Sequence, residues 1–398
     1  MIRKILLGVI LIIIAVVAGF FIFAPGYTER SMNIIDGKPL PKVSARAAAL
    51  HKTLTIIDLH SDSLMWQRDI TRRSDQGQMD LPRLATGNVA LQVFSSVTKT
   101  PANQNYDANG ADSDNITPLV IAQLQPIRTW TSLTERTIYH AEKLDRAVAA
   151  SEGKAKRVRS ASDLAALIAA RKARIANKAA PVGAMMSAEG LHNLQGKRAN
   201  LDRLYQAGIR MAGLTHFFDN ELAGSMHGLK KGGLTPFGKQ IIRDMEAKGM
   251  IVDIAHLSHA GVAQLLAIAR RPVVSSHGGV QATCGENRNL TDAEIKGVAK
   301  TGGVIGVGYW EGAVCDTSPA AIAKAIVHIR DLVGIEHAAL GSDYDGAVTV
   351  RFDTSRLVQV TQALLDAGLS EAEIRAVMGE NALRVIRAGL VPETAYRR

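Results

Sequence analysis

Short apolar segments rich in β-branched residues alternate along this chain with segments that have a helical pattern, and this alternation restricts the fold more than any other feature. Strands that alternate with helices predict a parallel sheet, because each parallel connection has to cross back over the sheet. The predicted strands are residues 54–58, 89–94, 181–187, 209–214, 250–254, 272–276, 303–307 and 338–341. The clearest predicted helices are residues 162–176, 201–207, 236–248, 259–270 and 320–333.

Eight strand–helix units favour a (β/α)8 barrel of the TIM type, which is an α/β fold. A doubly wound open sheet is the alternative, but such a sheet normally has a glycine-rich phosphate-binding turn after its first strand. Residues 59–64, which follow the first predicted strand, contain no glycine. Hydrophobic residues make up 47% of the 398 residues and charged residues 21%. This composition excludes a disordered or fibrous chain.

The N-terminal residues form a separate segment. Ile5 to Ala24 is a run of 20 residues without a charge, long enough for a helix to span the hydrocarbon core of a membrane. We therefore predict a membrane anchor at residues 1–24, a linker at 25–45 and the barrel domain at 46–398. A cleaved signal peptide is the alternative, but its apolar region is usually shorter and is followed by small residues. A buried core helix is disfavoured, because the segment is apolar all round.

The charge pattern predicts the partners of the chain. Arg3 and Lys4 precede the apolar run, and positive residues stay on the cytoplasmic side of a membrane. The barrel would then lie on the other side, attached to the lipid bilayer through residues 5–24. The net charge is +10, but the basic residues are dispersed and only 5% of the residues are aromatic. Nucleic acid is therefore not an expected partner.

Polar residues capable of metal binding follow most of the predicted strands. In a (β/α)8 barrel the carboxyl ends of the strands meet at one mouth, where the active site lies. Imidazoles and carboxylates suit zinc or a similar divalent ion. The set is too large for one tetrahedral ion, which indicates two ions with a shared carboxylate. The residues are His60, Asp62, Glu189, His216, His256, His277 and Asp343, with Asp345 nearby.

A single histidine at a strand end is usually structural, so the argument rests on the coincidence of four such histidines among the eleven of the chain. The other seven lack this placement. We expect His51, His140, His328 and His337 to be surface residues. We interpret His192, His227 and His259 as structural residues close to the site. Because the chain has no Gly-x-Ser-x-Gly motif and its two cysteines are not beside a histidine pattern, no covalent nucleophile is predicted.

Several of these segments, in their order along the chain, resemble the membrane dipeptidase (renal dipeptidase) family, zinc peptidases of the amidohydrolase superfamily. The resemblance runs from Leu54 to Arg387. The motifs are IIDLHSDSL, MDLPRLATGNVALQVFSSV, SAEGLHNL, YQAGIRMAGLTHFFDN, GLTPFGKQIIRDMEAKGMIVDIAHLS, PVVSSHGGVQATCGENRNLTD, LGSDYDG and GENALRVI.

The resemblance implies a (β/α)8 barrel with two zinc ions per chain, and it implies a role for each matching residue. His60 and Asp62 would bind the first zinc, Glu189 would bridge both ions, and His256 and His277 would bind the second. His216 would contact the substrate carbonyl, and Arg288 would hold the C-terminal carboxylate of a dipeptide. Asp343 would be the catalytic carboxylate, with Asp345 as the less favoured choice.

The implied reaction is the hydrolysis of a dipeptide by a hydroxide that bridges the two metals. Water shared by two divalent ions loses a proton near neutral pH, and His216 can stabilise the oxyanion that develops. Asp343 can pass a proton to the leaving amine and can also pair with the substrate ammonium. Arg288 can form two parallel hydrogen bonds with a carboxylate.

The chain also departs from the family. Its first motif reads HSDSL, whereas the family often has asparagine between the ligands. Cys284 and Cys315 match the positions of a family disulfide, which would suit an oxidising compartment, with two buried thiols as the alternative. The known eukaryotic members have a lipid anchor at the C-terminus, and this chain shows no such signal. An anchor at the other end suggests a bacterial inner-membrane protein with a periplasmic catalytic domain.

Other functions stay open on the sequence alone. A related amidohydrolase could act on another amide that bears a carboxylate, such as a β-lactam or an N-acyl amino acid. A non-catalytic binding protein on the same barrel is disfavoured, because the whole ligand set is present. The sequence also leaves a homodimer open.

Overall fold

The computed structural model describes residues 2–173 and 180–391. Its centre is a closed parallel barrel. The strands are β1 (Ile34–Ile35), β2 (Ile56–Asp58), β3 (Val89–Phe94), β4 (Ala155–Arg157), β5 (Val182–Ala188), β6 (Ile209–Gly213), β7 (Ile251–Asp253), β8 (Val274–Gly278), β9 (Val304–Val307), β10 (Ala338–Leu340) and β11 (Thr349–Val350).

Eight of these strands make the barrel, in the order β3-β2-β10-β9-β8-β7-β6-β5, and pairing of β3 with β5 closes it. β4 pairs with β5 as an additional short strand. The predicted barrel is therefore confirmed, and the open-sheet alternative is wrong. Each of the eight predicted strands overlaps one barrel strand, with ends that differ by up to two residues.

Helices surround the barrel, and one further helix lies at the N-terminus. They are α1 (Ile2–Met32), α2 (Ala45–His51), α3 (Leu81–Thr86), α4 (Ile116–Ala122), α5 (Arg128–Thr131), α6 (Leu133–Ala150), α7 (Ala161–Lys172), α8 (Ala199–Gln206), α9 (Pro236–Lys248), α10 (His259–Ile268), α11 (Asp292–Lys300), α12 (Glu311–Val314), α13 (Pro319–Val333), α14 (Val358–Asp366), α15 (Glu371–Arg375) and α16 (Asn381–Gly389). The predicted helix 162–176 is α7, and its last residues, 174–176, lie outside the described residues.

Hydroxyl side chains determine where many helices begin. Each accepts a hydrogen bond from the backbone amide three residues later, which pairs one of the free donors of the first helical turn. Thr291 and Glu294 form a complete capping box at α11. The other examples include Ser132, Ser160, Thr235, Ser258 and Ser318. These caps end the loops at defined residues, so the loops that leave the carboxyl ends of the strands are held at both ends.

Buried apolar side chains form two large clusters between strands and helices. One joins residues of β2, β3, β5 and other strands to α7 and α16, and the other joins further strand residues to most of the surrounding helices. Burial of apolar surface stabilises such packing by roughly 25 cal/mol per Å2. The barrel thus provides a rigid frame for the residues at its mouth.

The N-terminal helix extends further than the predicted anchor. α1 runs through Pro25 to Met32, and β1 follows two residues later. Within the described residues, α1 is the helix that is long and apolar enough to cross a membrane. The most apolar 18 residues of this helix are not buried against the rest of the protein. β1 pairs in parallel with β11. The segment predicted as a linker therefore begins with helix and strand that contact the barrel domain.

Candidate active site

The seven polar residues predicted from the strand ends lie together at the carboxyl end of the barrel. Each is brought there by its own strand or by the loop directly after it, because all eight barrel strands run in the same direction. All seven are less than 8% exposed. They are His60, Asp62, Glu189, His216, His256, His277 and Asp343. The structure therefore places the whole predicted set within one buried cluster.

Glu189 lies at the centre of this cluster. Its Oε1 lies 2.8 Å from His256 Nε2, 3.2 Å from His277 Nε2 and 3.6 Å from His216 Nε2. Its other oxygen, Oε2, lies 3.6 Å from His60 Nε2 and has no hydrogen-bond partner among the described residues. The two carboxylate oxygens thus face different groups of imidazoles.

His60 faces the carboxylates on the other side of Glu189. Its Nε2 lies 3.6 Å from Asp62 Oδ2 and 3.8 Å from Asp343 Oδ1. Asp62 Oδ1 is buried and has no hydrogen-bond partner among the described residues. Buried polar atoms are normally paired, so these oxygens are in position for a ligand such as a metal ion.

Three overlapping groups within the described residues have the donor atoms and spacing that a metal ion needs. They are His60–Glu189–His277, Glu189–His216–His256 and His60–Asp62–Asp343. Glu189 belongs to two of them, as expected of a bridging carboxylate. These groups differ from the predicted ligand sets in two ways. His277 is grouped with His60 and not with His256, and His216, which was predicted to contact substrate, is grouped with Glu189 and His256. The assignment of each ligand to one ion therefore stays a prediction.

The electrostatics of the site follow from burial and from the crowding of carboxylates. Burial would raise the pKa of Glu189, but the neighbouring His216 and His60 hold it well below its usual range. Burial would lower the pKa of His60, but Glu189 and Asp62 hold it well above the usual value. Burial and the nearby carboxylates Asp62 and Glu189 raise the pKa of Asp343 well above its usual range, against the opposing effect of His60. A cluster of this kind is typical of functional sites.

A histidine outside the predicted set orients His256. His227 is buried, and burial lowers its pKa to about 2, so its ring is neutral. Its Nδ1 donates to the Tyr106 carbonyl at 2.9 Å, because a carbonyl can only accept. Its Nε2 must then accept from His256 Nδ1, at 3.1 Å. Burial also holds the pKa of His256 well below its usual value.

This order of donors leaves a lone pair on His256 Nε2. That lone pair faces Glu189 Oε1 at 2.8 Å. A neutral nitrogen and a carboxylate oxygen repel each other at this distance unless a cation is bound to both. The donor set therefore fits a divalent ion, with His227 in the role of the outer partner that sets the tautomer of a histidine ligand. His227 lies in the long loop after β6, away from any strand end. It was predicted to be a structural residue close to the site, but the sequence does not indicate its contact with His256.

Backbone conformation is unusual at the same place. His256, Asp343 and Asp345 have positive φ angles of 63°, 60° and 63°. Such a conformation costs a non-glycine residue about 1–3 kcal/mol and is concentrated at functional sites. The carboxylate of Asp345 does not face the metal-type groups, because it accepts hydrogen bonds from Ser63 Oγ at 2.5 Å and from the Gln78 amide at 2.6 Å.

A cavity of about 620 Å3 opens over the cluster. Arg288 lies in its wall and is only 4% exposed. The guanidinium group lies over the Trp310 ring, 4.5 Å from the ring centre, and Nε and Nη1 have no hydrogen-bond partner among the described residues. A buried guanidinium with free donors is suited to a planar anion that enters the cavity.

Other predicted features have different outcomes. The structure joins Cys284 and Cys315 in a disulfide. The prediction that His51 and His140 are surface residues was wrong, since both are buried. His51 Nδ1 lies 2.8 Å from the Thr361 hydroxyl, and His140 Nδ1 lies 2.8 Å from the Ser96 hydroxyl. In both cases a neighbouring hydroxyl takes the place of water as the hydrogen-bond partner of the imidazole. The sequence pattern around the two histidines does not indicate these partners.

Comparisons with known proteins identify the family of the chain. A family model described as "Membrane dipeptidase (Peptidase family M19)" matches residues 44–394. The chain is 29% identical over 400 residues to "Dipeptidase aclJ" of Aspergillus oryzae, with 94% of this chain and 86% of that protein covered.

Two solved structures of peptidases share the fold. The probable dipeptidase PvdM of Pseudomonas aeruginosa superimposes with a TM-score of 0.70 at 20% identity, over 87% of this chain and 98% of that one. A metallo peptidase of Rhodobacter sphaeroides, solved with a phosphinate mimic of the dipeptide L-Ala-D-Ala, gives 0.66 at 20% identity, over 84% and 99%. The chain therefore belongs to the membrane dipeptidase family, peptidase family M19, and is a metal-dependent dipeptidase.

Proposed function

We propose that the enzyme is a dinuclear zinc dipeptidase with two Zn2+ per chain. His60, Asp62, Glu189, His256 and His277 are the proposed ligands. The observation that carries this proposal is the position of Glu189, which directs one oxygen towards His60 and the other towards His256 and His277. Imidazole and carboxylate donors without a thiolate suit zinc.

The residues of the chain have distinct roles in the proposed reaction. Two bound zinc ions would polarise the peptide carbonyl and lower the pKa of the attacking water. His216 reaches the cavity and donates to the oxygen that becomes negative. Asp343, also in the cavity wall, accepts the proton of the water and transfers it to the leaving amine.

The proposed specificity for dipeptides rests on the two ends of the cavity. Arg288 holds the substrate's C-terminal carboxylate, and Asp343 pairs with its free ammonium. A cavity with a cation at one end and a carboxylate at the other selects substrates by length. An N-acyl amino acid has no ammonium and loses one of these contacts, so we expect it to be a poorer substrate than a dipeptide.

Activity and metal dependence test this proposal directly. We expect the purified full-length enzyme to hydrolyse free dipeptides, to lose this activity when a chelator removes the metal, and to regain it with added zinc. The reason is that the metal would both polarise the peptide carbonyl and activate the attacking water. The assay compares dipeptides with N-acetylated dipeptides, N-acyl amino acids and a β-lactam. Preference for a substrate without an ammonium, or activity that resists chelation, would contradict the proposal.

We also propose that residues 5–24 of α1 anchor the enzyme in a bacterial inner membrane, with the catalytic domain in the periplasm. Residues 1–24 would be the anchor, and residues 46–398 the dipeptidase domain. The exposed apolar surface of α1 supports an anchor, and the disulfide between Cys284 and Cys315 suits an oxidising compartment.

Topology can be measured independently of activity. A reporter enzyme that works only after export, fused after Arg398, should be active, because Arg3 and Lys4 keep the N-terminus in the cytoplasm. A reporter that works only in the cytoplasm should be inactive at the same position. The reverse pattern would contradict the periplasmic location.

A further inference from the structure

The end of the N-terminal helix forms part of the catalytic cavity. Thr28 and Met32, in the last two turns of α1, line the same cavity as Asp343 and Arg288. Both residues precede residue 44, where the match to the family begins. This part of the cavity wall thus lies outside the residues that the family model matches, and neither the barrel nor the proposed mechanism accounts for it.

A buried ion pair holds the helix end in place. Glu29 lies between Thr28 and Met32 and is only 2% exposed. Its Oε1 accepts a hydrogen bond from Arg68 Nε at 2.5 Å, and Arg68 also donates to Asp345. Asp345 is two residues from Asp343. The helix end is thus connected by side chains to the loop that carries the proposed catalytic carboxylate.

Backbone contacts reinforce this connection. Asn33, the residue after α1, accepts a hydrogen bond from the Ala347 amide through Oδ1 at 2.9 Å. The Ile34 amide donates to the Val348 carbonyl at 3.2 Å, where β1 begins to pair with β11. Ala347 and Val348 themselves line the cavity. Met32 therefore belongs to the same wall as the loop after β10.

This wall has many apolar side chains and includes the loop that carries Asp343. Besides Met32 it includes Met65 and Val348, and the short helix α4, which lies against α1, adds Ile116 and Leu119. Arg288, by contrast, lies over Trp310. With the substrate ammonium at Asp343, the side chain nearest this wall is that of the dipeptide's N-terminal residue.

We infer that the end of α1 determines substrate specificity: Met32 contacts the side chain of the N-terminal residue of the dipeptide and favours apolar side chains there. Glu29 is a positioning residue, because it acts through Arg68 on the placement of the helix end. This inference rests on the proposed function, since the orientation of the dipeptide comes from the roles of Asp343 and Arg288.

The test compares three substrates, Leu-Gly, Gly-Leu and Gly-Gly, on the full-length enzyme. Met32→Ala should lower kcat/KM for Leu-Gly by about three- to tenfold, mainly through KM, because part of an apolar contact is lost. The kcat/KM for Gly-Leu and for Gly-Gly should stay within about twofold of the value for the unchanged enzyme, since neither substrate has an N-terminal side chain to contact Met32. Met32→Leu should restore most of the activity on Leu-Gly.

Ile35→Ala is the matched control, because Ile35 has the same exposed fraction as Met32, 43%, and does not line the cavity. It should leave all three rates unchanged. Equal losses on the three substrates with Met32→Ala, or a loss confined to Gly-Leu, would overturn the inference. An unchanged enzyme that hydrolyses none of the three contradicts the proposed function itself, so the two failures can be told apart.

Discussion

Replacement of Glu189 with glutamine should remove most of the bound metal and lower kcat/KM for dipeptides by at least about 10³-fold. The reason is geometric. One side chain directs an oxygen towards each of two groups of metal-type donors, so one substitution removes a negative ligand from both ions. The amide also changes an acceptor into a donor that faces His256 or His60 at close range.

Elemental analysis of the purified variant measures this effect without an activity assay. The matched control is Glu246→Gln. Glu246 lies in α9 and is also buried, at 3% exposed, but it accepts a hydrogen bond from the Arg270 amide at 2.8 Å and is not among the proposed metal ligands. Full metal content in Glu246→Gln would show that loss of a buried charge alone does not empty the site. Two metals per chain in Glu189→Gln would exclude Glu189 as the bridge.

Much of the fold could be predicted because its signals are local. A parallel strand buried on both faces is a short apolar run, and eight such runs alternating with helical patterns leave few architectures. The same logic located the site, since any residue that follows a strand of a parallel barrel lies at one mouth. His60, Glu189 and His277 are far apart in sequence, yet the topology alone brings them together.

The residues that were missed depend on contacts between distant parts of the chain. β1 lies beside β11 although their residues are numbered 34 and 349, and nothing in the linker composition indicates this pairing. His227 is important because its tautomer is set by the Tyr106 carbonyl, and backbone carbonyls leave no signal in a sequence. His140, which was predicted to be a surface residue, is buried in α6.

Replacement of Arg288 with alanine should lower kcat/KM for free dipeptides by about 30- to 1000-fold, which corresponds to a loss of about 2–4 kcal/mol. Arg288 is buried and has two free donor nitrogens in the cavity wall. A substrate carboxylate would pair with both donors, and alanine offers neither. Dipeptide amides lack the negative charge, so they should react poorly with the unchanged enzyme and lose much less in the variant.

Three comparisons separate this role from a structural one. Metal content should stay unchanged in Arg288→Ala, because Arg288 is not among the proposed ligands. Arg288→Lys should recover only part of the loss, since an ammonium keeps the charge but cannot form two parallel hydrogen bonds. The guanidinium also packs on Trp310, so a purely structural role predicts equal losses on free dipeptides and on their amides. Equal losses would mean that Arg288 does not bind the substrate's C-terminal carboxylate. Selection of dipeptides by that carboxylate would then have no physical basis.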